Sequence, residues 1–206
     1  MKADKDYIKD IETIRSMMER SSKFGSLAGW AGIMAGLYAI AGTFFTYSFL
    51  KFNPNQIFYD YTNSSGNSFM FVIIIAITVL VLAIGTAILL TNKRAAGNGE
   101  KLWSLTTKRM LGNMALPLVA GGLLVLILKS NGLLGLIAPI TLIFYGFALF
   151  NAGRYTYDEV KVLGVIQVTL GLIGAFFIEY SLLCWAIGFG LFHIIFGIYL
   201  HKKYEK

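Results

Sequence analysis

Long apolar runs alternate with short polar stretches from residue 24 to residue 200. Six runs stand out, at 24–50, 69–90, 111–128, 133–150, 162–178 and 182–200. A bilayer core of about 30 Å is crossed by about 20 apolar residues in helical form. The runs lack the alternation of apolar and polar positions that a membrane barrel strand shows. Helices also pair their backbone polar groups within the segment, as lipid demands. The pattern predicts an all-α integral membrane protein with six transmembrane helices. It divides the chain into a cytoplasmic amphipathic helix over 1–23 and a six-helix transmembrane domain over 24–206.

The first run carries a stripe that begins outside it. Tyr7, Ile11, Ile14 and Met18 recur at spacings of 4, 3 and 4 residues. Ser22, Gly25, Gly29, Gly32, Gly36 and Ala39 continue the same face, with one stutter around Met18. This predicts an N-terminal helix continuous with the first span, passing from water into lipid. In water, burying Ile and Met expels water. In lipid that gain is absent, and helices associate through small residues that let backbones approach. Gly25, Gly29, Gly32 and Gly36 form the expected packing face. Two readings of the stripe stay open. In one, the first span packs within its own bundle and the tail lies on the membrane surface. In the other, Tyr7, Ile11, Ile14 and Met18 dock a second copy of the chain or a cytosolic protein.

Composition agrees with the runs. Of 206 residues, 56% are hydrophobic and 14% charged, against about 25% charged in soluble domains. The net charge of +7 does not imply direct nucleic-acid binding, because the location of the cations explains it. Residues 1–23 hold six Lys and Arg, the segment between the second and third runs five, the segment between the fourth and fifth two, and the C-terminal tail three. The remaining segments hold Lys51 and Lys129. Positive charge marks the cytoplasmic side, so both termini are predicted cytoplasmic. The charged N-terminus is unlike a cleaved signal peptide, and the first span is expected to serve as an uncleaved insertion signal. KLWSLTTKRML, residues 101–111, mixes Trp103 and Leu105 with cations and reads as a short helix on the inner leaflet. The hairpins of runs three to four and five to six show a faint likeness at a 49-residue shift, which places Leu142 over Leu191 and Phe147 over Phe196.

Polar residues inside a span are costly and mark sites worth testing. Counted from the outer ends, Tyr145 lies about twelve residues down the fourth run, and Gln167 and His193 about eleven down the fifth and sixth. Thr141, Thr169 and Thr78 lie within about a turn of that level. These residues predict an intramembrane polar layer able to bind a solute, relay a proton or anchor helices. Histidine, with an unperturbed pKa of about 6.5, suits proton handling, and it serves equally as a structural donor to Tyr145 or Gln167. Arg154, Asp158 and Glu159 read as a local ion-pair network, and Lys129 and Glu179 as solvated interfacial charges. Pro117 and Pro139 are candidate kinks.

Other chemistry finds no support. The single cysteine, Cys184, cannot form an intrachain disulfide, and no Cys/His metal spacing is present. The two histidines, His193 and His201, cannot face each other across a haem from one helix. No cofactor or metal is therefore expected. No HExxH, GxSxG or phosphate-loop motif appears, and the reading leans against an enzyme. Two functions remain. One is a small-solute or proton-linked transporter built on His193, Gln167 and Tyr145. The other is a non-transporting scaffold or sensor whose tail docks a partner.

The segment IRSMMERSSKFGSLAGWAGIMAGLYAIAG (14–42) resembles small multi-pass bacterial inner-membrane proteins of unassigned activity. They carry a similar charged N-terminal helix and Gly-rich first span. The resemblance implies a bacterial inner-membrane location and carries over no functional residues. Proteins of this kind are sometimes encoded beside winged-helix regulators, which would suit a docking tail.

Overall fold

The computed structural model describes residues 29–50, 67–97 and 103–204. Among the described residues the regular elements are all helical. Helix α1 is Gly29–Ser48, α2 Asn67–Gly97, α3 Leu105–Ser130, α4 Ile137–Ala152 and α5 Asp158–Phe176. The last helix, α6, spans Ile178–Tyr204. It opens with a 3-10 turn at Ile178–Tyr180 and holds a π-helical segment at Ala186–Phe192. With the 3-10 turn Leu134–Leu136 counted into the fourth, all six are long and apolar enough to cross a membrane. The tail over 1–23, its seam Tyr7, Ile11, Ile14 and Met18, and Gly25 lie outside the described residues.

Several helices run further than their apolar cores. Helix α2 passes residue 90 and continues to Gly97, because Asn, Lys, Arg and Ala sustain a helix after the hydrophobic run ends. Residues 105–111 are not a separate surface helix. Ser104 caps α3, its Oγ accepting from the Thr107 N–H at 3.1 Å, so Leu105 already belongs to the span. Pro117 sits inside a continuous α3. Pro139 is the third residue of α4, where a backbone N–H has no intrahelical partner to lose. Helix α3 ends in a Schellman turn. Gly132 takes a φ of 72°, its N–H donates to Lys129 O, and the Leu133 N–H donates to Leu128 O. A 3-10 turn, Leu134–Leu136, then leads into α4. Under the 49-residue shift that turn would fall on 183–185, inside α6 and clear of its own 3-10 turn at Ile178–Tyr180. The two hairpins therefore do not share that register.

The packing runs α2, α1, α6, then α5 and α4, then α3, with α6 touching α1, α4 and α5. Glycines bring the backbones together. A Cβ on Gly29 would meet Gly197 O at 2.5 Å, and one on Gly36 would meet Gly190 O at 2.6 Å. Gly32 lies over Gly197 and the His193 carbonyl. The small-residue face of α1 is thus occupied by α6, which answers the first reading of the stripe for these three glycines. A second crossing joins α4 to α5, where a Cβ on Gly146 would meet Gly164 O at 2.6 Å and the reciprocal contact is 2.7 Å. Helices α2 and α3 flank the assembly and expose rows of Leu, Ile and Val.

Cations and carboxylates meet at the end where α2 and α6 finish. Lys203 Nζ donates to Glu159, the Tyr204 hydroxyl donates to Glu159 Oε1 at 3.1 Å, and Arg94 donates to Tyr204 O at 2.7 Å. Lys161 pairs with Asp158 at 2.6 Å. The two carboxylates expected to pair with Arg154 are thus held by Lys161 and Lys203, and the Arg154 side chain is exposed. Above this end, Leu149, Ala152, Val160 and Leu163 form a buried apolar cluster, with Met110, Met114, Phe192 and Phe196 against it.

Gly197→Ala should lower stability by about 1–3 kcal/mol, since its Cβ would meet Gly29 O at 2.5 Å. Gly85→Ala and Gly122→Ala, where a Cβ meets nothing within 4 Å, should be neutral or gain up to about 1 kcal/mol in helix propensity. Unfolding of the purified protein by a denaturing detergent separates the cases. Equal effects at Gly197 and Gly85 would contradict the crossing.

Candidate functional site

Three of the six polar residues read from the sequence meet between α4, α5 and α6. Tyr145 lies on α4, four residues beyond Thr141 and on the same face. Gln167 lies on α5 and is fully buried, and His193 follows directly on the π segment of α6 and is 6% exposed. The Tyr145 hydroxyl and His193 Nε2 are 3.0 Å apart. His193 Nδ1 is 2.9 Å from Gly188 O, and Gln167 Nε2 donates to the same carbonyl at 2.7 Å.

These contacts fix the histidine tautomer. A carbonyl oxygen only accepts, so Nδ1 carries the hydrogen and donates to Gly188 O. In the neutral ring Nε2 is then an acceptor, and the Tyr145 hydroxyl donates to it. Gln167 Nε2 stands 3.4 Å from Nδ1, but both are donors, and they converge on one carbonyl without bonding each other. The opposite amide orientation would put two oxygens face to face, so the network also sets the Gln167 rotamer.

The π segment makes this geometry possible. Side chains on a helix lean toward its N-terminus, and His193 reaches back to the carbonyl of the residue five before it. A π turn, with bonds running i to i+5, disturbs the i to i+4 ladder and lets side chains take up a carbonyl. Gly188 is required there. A Cβ on it would stand 2.5 Å from Gln167 Oε1 and 2.6 Å from Leu142 Cδ2. Gln167 thus straddles Gly188, with its amide nitrogen on the carbonyl and its oxygen beside the Cα. That oxygen is buried without a hydrogen-bond partner, a position in which the glycine Cα–H is a weak donor.

Aromatic rings pack against Tyr145 and His193. Phe189 lies 4.9 Å from the Tyr145 ring and 5.7 Å from the imidazole, and Trp185 lies 4.8 Å from Phe189. Trp185 Nε1 donates to Thr141 Oγ1 at 3.2 Å, and that hydroxyl donates to Ala138 O. Thr141 therefore neighbours the cluster one turn away. Thr169 does not join it: its exposed hydroxyl donates to Val165 O in its own helix. Thr78 likewise bonds Ile74 O on exposed α2. His201 packs edge-on against Trp30 at 5.5 Å, away from the cluster. Among the described residues no three His, Cys, Asp or Glu side chains converge as metal ligands.

Sequence reasoning missed Gly188, Phe189 and Trp185 as parts of the site. The Gly-Phe-Gly at 188–190 was the available signal, since paired glycines inside an apolar helix mark close backbone approach. No family model, curated protein or solved structure matches the chain.

In a His201→Gln variant, His193 is the sole histidine, and imidazole NMR should show the neutral ring protonated at Nδ1. Adding Gly188→Ala should displace Gln167 and mix the tautomers. A ring protonated at Nε2 in the unaltered site would contradict the network.

Proposed function

We propose that this chain is a proton-linked permease for a small solute, set in a bacterial inner membrane with both termini cytoplasmic. The observation that supports it is the state of His193. Its Nδ1–H is committed to Gly188 O, so its Nε2 lone pair is the basic site, and the group facing that lone pair is Tyr145. Interhelical hydrogen bonds between membrane helices average about 0.6 kcal/mol. A charge at the centre of a span costs at least about 2.5 kcal/mol. A histidine used as glue alone gains little there, whereas one that alternates between neutral and charged forms gives a transporter its coupling step. The π segment beside it supplies irregular backbone at the depth where transporters bind their substrates. The orientation rests on the cation distribution, and the bacterial membrane on the resemblance of residues 14–42. The reading includes no catalysed reaction.

The second reading, a scaffold or sensor that docks a membrane or cytosolic partner through its tail, draws on the stripe at Tyr7, Ile11, Ile14 and Met18. With Gly29, Gly32 and Gly36 engaged by α6, such a partner would bind that seam. Removal of residues 1–22 would release it without disturbing insertion.

Purified protein in vesicles, loaded with a panel of small solutes and a pH-sensitive dye, should couple proton flux to one of them. His193→Ala should reduce that flux at least about tenfold, the low end for loss of a proton-transfer group, while gel filtration and circular dichroism stay unchanged. Normal coupled flux in that variant would overturn the site. For orientation, a C-terminal fluorescent-protein fusion should fluoresce and a phosphatase fusion at the same point should be inactive. The reverse result would invert the topology.

A further inference from the structure

We infer that the solute carried with the proton is a small monocarboxylate, bound between His193 Nε2 and the Tyr145 hydroxyl. The inference rests on the permease reading and names its substrate class. In the neutral site the hydroxyl donates to Nε2 across 3.0 Å. Once Nε2 takes a proton, both members of that pair carry hydrogen. The Tyr145 oxygen can accept from Nε2–H, but its own O–H then needs a new acceptor. The described neighbours of Tyr145 are the ring of Phe189 and the apolar cluster of Leu149, Ala152, Val160 and Leu163, and Trp185 Nε1–H, beyond Phe189, is itself a donor held by Thr141. The unpaired Gln167 Oε1 lies on the Nδ1 side of the ring, beside Gly188 and Leu142.

The protonated site therefore presents two adjacent donors with the tyrosine oxygen as the one acceptor between them, and one positive charge without a counter-ion. A carboxylate matches it, with one oxygen for Nε2–H, one for the tyrosine O–H, and a negative charge that cancels the imidazolium. Cancellation matters because the described contacts of His193 include no charged side chain. Helix α4 brings Tyr145, α5 brings the uncharged Gln167, α1 brings the Gly32 backbone, and α6 itself brings Gly188 and Phe189. A buried charge without a partner is the costly case. An ammonium solute would meet repulsion from the imidazolium, and an uncharged solute would leave the charge uncompensated. The rings of Phe189 and Trp185 offer an apolar wall for a short hydrocarbon chain.

Coupling follows from the same requirement. Proton and anion each stabilise the other in the site, and neither is favoured alone. Nε2 gains a proton from water on one side of the membrane and returns it to water on the other, while the carboxylate crosses unchanged. No covalent bond in the solute is made or broken, and no net charge moves.

The test uses the full chain with His201→Gln, labelled on its remaining imidazole, in lipid vesicles at mildly acidic pH. Adding lactate should increase the imidazolium signal, and methylammonium should not. Tyr145→Phe keeps the ring and removes one donor, so half-saturation by lactate should rise about tenfold or more while the imidazolium still forms. In sealed vesicles a lactate gradient should acidify the interior at a rate that clamping the membrane potential leaves unchanged. A response to methylammonium in place of lactate, or lactate flux that follows the membrane potential, would overturn the assignment. Silence toward lactate alongside His193-dependent, proton-linked flux of a solute that has no carboxylate would remove the carboxylate class and keep the permease. No imidazolium under any condition, together with no flux of any solute, would remove both.

Discussion

Backbone contact across glycine carries the rest of this structure. Helices suited to a bilayer gain little by burying Leu against Leu, because lipid is as apolar as the side chain it replaces. They gain by close approach. At Gly29, Gly36 and Gly197 the approach is tight enough that a single methyl would strike the opposing backbone, and the same holds at Gly146 and Gly164. The first crossing fixes α6 against α1, and the second fixes α4 against α5. Only with both in place do Tyr145, Gln167 and His193 arrive from three helices at bonding distance. The polar cluster is a consequence of small residues placed elsewhere.

Helix α6 shows how the two levels connect. Its π segment uses one face against α1, where Gly190 O lies under Gly36, and another against α4 and α5, where Gly188 meets Leu142 and Gln167. Two glycines two residues apart are about half a turn apart in such a helix and point to nearly opposite sides. One seven-residue segment can therefore serve as packing surface and as acceptor for the site. A regular helix with larger residues here would lose the close approach at Gly190 and the carbonyl at Gly188 together.

Spans and polar depth were legible in the sequence, because run length and residue count translate directly into height across a bilayer. Counting placed Tyr145, Gln167 and His193 near one level, and they do meet. Counting could not give azimuth. Thr169 is two residues from Gln167, on the opposite side of α5, so equal depth left it on the exposed face. The spacing of Gly29, Gly32 and Gly36 announced one packing face, but Gly146 and Gly164 sit singly in separate helices, and their pairing exists only in the folded chain. The π segment was invisible for the same reason, since no residue type encodes an i to i+5 turn. Helix ends were misjudged where hydropathy and helix propensity part company, as at Leu105, where a serine cap started α3 two turns before its apolar core.

The ends of α6 bear on how such a site works. At the basic end Lys203 and Tyr204 are tied to Glu159, and Arg94 to the Tyr204 carbonyl. Toward the other end Trp185 is tied to Thr141. Contacts of this kind at both extremities resist sliding of the whole helix. The π segment between them holds its carbonyl with side chains from α5 and from α6 itself, and those bonds respond to the charge on the imidazole. On the permease reading, a proton taken up at His193 would change the bonding of a segment whose other face is the α1 crossing. A rearrangement there would reach the glycine contacts, where tenths of an ångström separate packing from collision. The contacts that close the bundle and the bonds that hold the buried ring thus lie on two faces of one segment.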